Sequence, residues 1–239
     1  MSAIKKIFLA MAVIVMAASL FGCSGDKEND DTSASSEQSS SADESVNDDN
    51  SNDAAFESDT ETEDATVQAN IPLEYDGTDV NDSCADTINK YFTAIINQRY
   101  DDYVDTLDPY YFSVYNSWLD GNYGYGMETS FETMHQNLMN AAVSANNDKD
   151  VNEVRITKLK LSPTVPKDGE EDGAVINDYL AQYDTLIGEG FTEELKKQCD
   201  DVLNVTFTMT ADCDGTELEI LKDMELLMTV SDGEYRILG

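Results

Sequence analysis

The spacing of apolar residues predicts helices in the first part of a folded region that begins near residue 71. After Asp82, a helix start with Ser83 as N-cap leads into apolar positions that return every three or four residues. This first stripe consists of Cys84, Ile88, Tyr91, Phe92, Ile95 and Ile96. A short second helix is predicted over residues 100–107 and ends at Asp108-Pro109, because proline disrupts a helix interior. Stripes at residues 127–142 and 176–187 predict two more helices, and Thr192 caps a further short one.

Strict alternation of apolar and polar residues predicts that the C-terminal part is β-structure. Residues 203–211 and 218–230 alternate, with Asp214-Gly215 as a two-residue hairpin turn between them. Asp232-Gly233 marks a second turn before a short final strand, and residues 151–161 form a further strand candidate. Helices followed by an antiparallel meander predict an α+β fold with the helices packed on one face of a curved sheet.

The segment between these helices, residues 110–126, is unusually rich in aromatic side chains. Three glycines interleave with the rings and favour an adaptable loop over a regular element. Aromatic rings combine a large contact area with a polar tip, so the segment is a candidate pocket for a sugar, a peptide or an apolar ligand. The alternative is that the rings only close one end of the fold. The candidate ligand-binding residues are Tyr110, Tyr111, Tyr115, Trp118, Tyr123 and Tyr125.

The N-terminus has the pattern of an export signal. Lys5 and Lys6 precede an apolar run over residues 7–20, which is shorter than the roughly 20 residues that a spanning helix needs. The following Leu20-Phe21-Gly22-Cys23 resembles the lipobox of bacterial lipoproteins. This resemblance implies a signal peptide at residues 1–22, cleavage before Cys23, and a diacylglycerol on the Cys23 sulfur. Two or more acyl chains anchor a protein stably where one does not, so we expect attachment to membrane lipid at the outer face of the cell membrane.

Residues 23–70 are predicted to be a disordered tether. They are rich in serine and acidic residues, contain Lys27 as their only basic residue, and offer few large apolar side chains to bury. A flexible coil of this length has a root-mean-square span of roughly 35–40 Å. A binding arm for a basic partner is the alternative. The globular domain is then predicted to cover residues 71–239.

The charge of the chain excludes some classes of partner. It carries 49 acidic and 14 basic residues, for a formal net charge of −35. Affinity for nucleic acid comes mostly from lysine and arginine, so no nucleic-acid partner is expected. Electrostatic docking on an anionic membrane surface is disfavoured for the same reason.

The order of elements resembles the nuclear transport factor 2-like, or cystatin-like, cone fold over residues 83–239. The residues that carry the resemblance are the opening helix with Tyr91-Phe92-Thr93-Ala94-Ile95, the short Tyr100-Asp101-Asp102-Tyr103 helix, and the closing Ser231-Asp232-Gly233-Glu234-Tyr235-Arg236-Ile237 hairpin. This fold is common in small lipoproteins of Gram-positive bacteria. Its superfamily contains enzymes, binding modules and inert scaffolds, so the resemblance implies an architecture and no particular activity.

Candidate chemistry is sparse. His135, the only histidine, lies on the apolar stripe of the third helix and is a candidate general base, although no carboxylate is spaced to mark it as a partner. A hydrogen-bonded core or rim histidine is the alternative. No phosphate-binding glycine loop, serine elbow or HExxH motif is present, and no cofactor is predicted.

The cysteines and the acidic turn indicate no metal site. Cys84, Cys199 and Cys213 match no zinc-site spacing, and Cys84 is predicted to be a small buried residue. A strand separates Cys199 from Cys213 by about 30 Å, whereas bridged Cα atoms lie within about 7 Å, so that disulfide is not expected. The acidic residues 212–217 resemble part of a calcium loop, but a hairpin turn explains them better.

Together these features predict an extracytoplasmic lipoprotein that binds a surface ligand or an envelope protein without catalysis. One alternative is a small hydrolase or isomerase that uses His135 with a carboxylate from the sheet. Another is a structural partner of a membrane complex that docks through the concave face of the sheet.

Overall fold

The structure, a computed structural model, describes residues 68–77, 80–147, 149, 151–163 and 173–239. The predicted signal peptide, Cys23 and nearly all of the predicted tether lie outside these residues. No helix within the described ranges is both long enough and apolar enough to cross a membrane. The elements, in chain order, are β1 (Leu73–Glu74), α1 (Asp82–Ile96), α2 (Tyr100–Val104), α3 (Pro109–Tyr123), α4 (Met127–Ala145), β2 (Val154–Pro163), α5 (Ala174–Leu186), α6 (Phe191–Gln198), β3 (Asp201–Cys213), β4 (Thr216–Ser231) and β5 (Glu234–Leu238).

The five strands form one sheet in the order β1-β2-β3-β4-β5. The pairs from β2 to β5 are antiparallel, which confirms the α+β class and the predicted meander. Turns at Asp214-Gly215 and Asp232-Gly233 have positive φ at both central residues, as two-residue hairpins require. β1 was not predicted; it is only two residues long and pairs with β2 in parallel.

Helices cover both faces of part of the sheet, so the prediction that they pack on one face is incomplete. Phe207 of β3 meets Phe92 of α1, with ring centroids 4.8 Å apart. Glu225, paired in register with Thr206, points to the opposite face because side chains alternate along a strand. Tyr179 of α5 donates a hydrogen bond to Glu225 there at 2.6 Å.

The aromatic segment predicted to be a loop is instead the helix α3, and this expectation was wrong. Asp108 caps its N-terminus by accepting a hydrogen bond from the Tyr111 amide, and Pro109 occupies the first turn, where a missing N–H costs nothing. Asp108-Pro109, which was predicted to end the short helix before it, is therefore also the start of the next helix, α3. The helix ends at Gly124, which has φ +74° and provides the left-handed C-cap.

The N-cap of α1 is Asn81, two residues before Ser83, so the prediction of Ser83 as the N-cap was wrong. The Asn81 side chain accepts a hydrogen bond from the Cys84 amide, and it also contacts the Tyr235 hydroxyl of β5. The helical stripe predicted from Cys84 onward is buried up to Ile95, with Ile88 and Tyr91 fully enclosed, and Ile96 at its end is half-buried. Cys84 itself is buried and, like Cys199 and Cys213, forms no disulfide within the described residues.

The folded domain includes residues that were assigned to the tether. The Gln68 side chain donates to the Ile156 carbonyl at 2.6 Å and accepts from the Ile156 amide, while Asn97 bonds the Gln68 backbone. Ile71 is 2% exposed and is held by the buried side chain of Asn89 on α1. The ordered region thus extends at least to residue 68, because polar side chains of distant elements satisfy this extended backbone.

Candidate functional site

Aromatic side chains from α3, α5, α6 and the α3–α4 connection form one continuous row across the domain, which we call the aromatic row. Neighbouring ring centroids lie 5.3–5.7 Å apart, within the range of favourable aromatic contacts. In spatial order the row is Tyr110, Phe191, Tyr183, Tyr111, Tyr115, Trp118, Tyr123 and Tyr125. It contains all six candidate ligand-binding residues predicted from the sequence.

The centre of the row follows one face of α3. Tyr111, Tyr115 and Trp118 are spaced by four and three residues, so their side chains lie above one another on a helix. Their rings stack with interplanar angles of 16° and 11°. This spacing is the sequence signal for the helix, although the density of rings and glycines obscured it.

The inner part of the row, around Tyr111 and Tyr183, is enclosed and fixed by hydrogen bonds, whereas Tyr110 at the far end is half-buried. Tyr111 is 2% exposed, so its ring is closed to a ligand. The hydroxyls of Tyr111 and Tyr183 donate to the Gly239 carbonyl at 3.1 and 2.8 Å. Burial raises the pKa of both phenols, and both therefore stay protonated as donors at neutral pH. This inner part supports the rings that follow it along α3.

The outer end of the row reaches the surface and consists of Trp118, Tyr123 and Tyr125. Tyr123 is 48% exposed and is the only large hydrophobic side chain classed as exposed among the described residues. Trp118 and Tyr123 meet edge to face at 73°, and Tyr123 stacks on Tyr125 at 25°. The left-handed turn at Gly124 brings the last two rings together, because it reverses the chain between them.

The helices around the outer end carry negative charge only. No lysine or arginine occurs between Arg99 and Lys149, a stretch that includes all of α3 and α4. Asp120 lies three residues before Tyr123 on α3, and Glu128 opens α4 just after Tyr125. Both carboxylates are exposed. The outer end is therefore an accessible aromatic surface with acidic neighbours.

His135 lies on α4 and is half-buried. Its Nδ1 is buried and makes no hydrogen bond within the described residues. None of the described carboxylates forms a salt bridge or a hydrogen bond with it. His135 thus lies on the helix that the sequence predicted for it, and no described carboxylate of the sheet bonds to it.

The acidic β3–β4 turn is held as a structural unit. Asp214 accepts hydrogen bonds from the amides of Asn152 and Glu153 at 3.0 Å, and these bonds lower the pKa of its carboxyl. Asp212 accepts from the Gly215 amide at 2.6 Å. Within the ranges that the structure describes, no three His, Cys, Asp or Glu residues are grouped to hold a metal ion.

A polar contact on the other face of the sheet was not foreseen from the sequence. Glu225 accepts from the Tyr179 hydroxyl and from the Asn204 amide, at 2.6 and 3.2 Å. Burial, followed by the bond to Glu225, raises the pKa of Tyr179. The one sequence signal for this contact is the alternation of side chains along β3 and β4, which puts Asn204 and Glu225 on the sheet face opposite Phe207.

Comparison with known proteins gives no relative for this chain: no family model, no curated protein and no solved structure matches it. The described residues form an α+β domain with a packed row of aromatic rings whose outer end is flanked along the chain by acidic residues.

Proposed function

We propose that this chain is a bacterial lipoprotein, anchored by an acylated Cys23 at the outer face of the cell membrane, whose α+β domain is a non-catalytic binding module. The order of helices and meander, with bulges in the β2–β3 and β3–β4 pairs that increase strand curvature, supports a cystatin-like cone for this domain. The outer end of the aromatic row is the binding surface, and its target is a surface ligand or an envelope protein.

The proposed anchor has a direct test. Mass spectrometry of the chain purified from bacterial membranes should find an N-terminus at Cys23 carrying a diacylglycerol. A Cys23→Ser variant should leave the membrane fraction, whereas the matched Cys199→Ser variant should stay in it. An unmodified chain, or membrane association that survives Cys23→Ser, contradicts the proposed anchor.

One observation carries the binding proposal: the outer end of a row of packed rings includes an exposed tyrosine, Tyr123. The other large hydrophobic side chains of the described domain are buried or partly buried, and Tyr123 alone is 48% exposed. The inner part of the row packs against Trp118, Tyr123 and Tyr125 in sequence, so these three rings have less freedom to lose on binding than isolated side chains would. Aromatic residues held in this way are the usual centres of binding energy at interfaces.

The experiment is a comparison of binding partners for the full chain and for a Trp118→Ala, Tyr123→Ala double variant. Glycan, peptide and envelope-protein arrays should give partners that the double variant loses. Tyr75→Ala removes a half-buried tyrosine near α1 instead and should keep those partners. Partners that bind the double variant unchanged would place the binding surface elsewhere. A His135→Ala variant in the same arrays should also bind normally, since the proposed module uses no general base.

A further inference from the structure

We infer that the outer end of the aromatic row binds a positively charged segment, rich in arginine or lysine, of an extracytoplasmic protein partner. This inference rests on the proposed binding function and specifies the chemistry of the partner.

The rings supply the first part of the argument. A cation above a tryptophan or tyrosine ring is attracted by the negative face of its π-system. Tyr123 is 48% exposed, and the rings of Trp118 and Tyr125 beside it are partly exposed. Arginine in particular stacks on such rings through its planar guanidinium group.

The acidic residues around the rings supply the second part. Asp120, Glu128 and Glu132 are exposed, and none of them forms a salt bridge with a described residue. Many of the basic residues that the structure describes are instead paired on other elements, such as Lys90 with Asp86 and Arg99 with Asp102. The charge of these three carboxylates is thus not neutralised by any described basic side chain.

The net charge of the whole chain favours a partner with positive charge. With a formal net charge of −35, the chain repels anionic ligands and attracts cationic ones over a distance of about one Debye length. A neutral ligand would use the rings but gain nothing from the carboxylates. A cationic partner is the one class that uses both.

The extent of the surface favours a polypeptide over a single small ammonium ion. The acidic positions continue from the end of α3 into the second turn of α4, and Glu128 and Glu132 alone lie about 6 Å apart along the α4 axis. An extended chain advances about 3.3 Å per residue, so a segment with basic residues at alternate positions spans the same distance. A single small ammonium ion would contact only one part of this surface.

The test uses Trp118, the only tryptophan of the chain, as a built-in reporter. The full chain in non-ionic detergent is titrated with a capped peptide of alternating glycine and arginine, while tryptophan fluorescence is recorded. The matched control peptide carries neutral citrulline in place of arginine. We expect a saturable fluorescence change with the arginine peptide, a much weaker one with the citrulline peptide, and weaker binding as salt is raised.

Variants assign the effect to the ring and to the acids. Tyr123→Leu keeps apolar area but removes the π-system, and it should weaken binding of the arginine peptide about two- to fivefold. Tyr123→Phe keeps the ring and should bind within about twofold of the original chain. Asp120→Asn combined with Glu128→Gln should weaken binding and reduce its salt dependence.

Three results would overturn the inference. Equal binding of the arginine and citrulline peptides would show an uncharged site, and the array result with the double variant would then still decide the binding function independently. No saturable response to the arginine peptide would exclude a cationic segment. Complete competition by tetramethylammonium at the concentration that matches the peptide's arginine side chains would replace the polypeptide with a small ammonium ligand.

Discussion

Asp108 joins three parts of the domain, and its replacement by alanine tests how the aromatic row is held in place. It is 7% exposed at the start of α3. One carboxylate oxygen accepts from the Tyr111 amide at 2.9 Å, and the other accepts from the Thr229 hydroxyl of β4 at 2.8 Å. Its own amide donates to the Ile237 carbonyl of β5 at 2.9 Å. The side chain therefore fixes both the start and the position of α3.

The structure gives a magnitude for Asp108→Ala. Loss of the N-cap costs about 1 kcal/mol. Thr229 is 2% exposed, and leaving its buried hydroxyl without a partner costs a further ~1–3 kcal/mol. We expect the free energy of unfolding to fall by about 2–4 kcal/mol in total, a large share of the roughly 5–15 kcal/mol of a typical domain.

The assay is urea unfolding followed by Trp118 fluorescence and by far-ultraviolet circular dichroism. Asp108→Asn is the matched control, because an amide can still cap α3 and can donate to the Thr229 oxygen; it should cost less than about 1 kcal/mol. A double-mutant cycle with Thr229→Val measures the coupling between the two side chains. A loss below about 1 kcal/mol for Asp108→Ala, or no coupling in the cycle, would refute the reasoning.

Three further predictions concern stability. Gly121→Ala should stabilise the domain by about 0.5–1 kcal/mol, since Gly121 lies inside α3 with open space around an added Cβ. Gly126→Ala should destabilise the domain, because its Cβ would lie 2.6 Å from the Asn116 side-chain oxygen that accepts a hydrogen bond from the Met127 amide. Equal urea midpoints for the two variants would contradict this contrast. Burial raises the pKa of Cys84 from 9.0 to about 11 and that of Tyr115 from 10.0 to about 12, so folding favours the neutral forms of both groups. The free energy of unfolding should therefore be constant below about pH 9 and fall as the pH rises towards 12. Urea unfolding at a series of pH values across that window measures this fall, and constant stability would contradict the prediction. Tyr179→Phe should lower the free energy of unfolding by about 1–2 kcal/mol in thermal or urea unfolding, because Glu225 loses its shorter hydrogen bond. Tyr75→Phe loses only an exposed hydrogen bond to Asp82 and should lower it less. A larger loss for Tyr75→Phe than for Tyr179→Phe would count against the Glu225 contact.

The sequence predicted most elements because each has a local signal. The stripes on α1, α4 and α5 and the alternation on β3 and β4 are set by residues a few positions apart, and the Asp-Gly turns depend on their own two residues. Cys84 was predicted to be buried for the same reason, since it begins a stripe. Local periodicity reports which side of an element is apolar, whatever that side later meets.

The candidate site was predicted only as a set of residues. All six aromatic residues named from the sequence lie in the row, but they do not share one environment, since Tyr111 is core and Tyr123 is exposed. Tyr183 and Phe191 complete the row from α5 and α6, which are distant in sequence. No spacing within residues 110–126 indicates them.

By itself, the sequence determined the α+β class, the acidic character and nearly every helix and strand, because these depend on composition and on neighbours within about one turn or one strand. The tertiary structure alone decided that β1 pairs with β2, that Gln68 belongs to the domain, that helices lie on both faces, and that the rings join into one row with one exposed end. These features come from contacts between residues far apart in the chain. Such contacts form only when the whole domain packs, so no local pattern carries them.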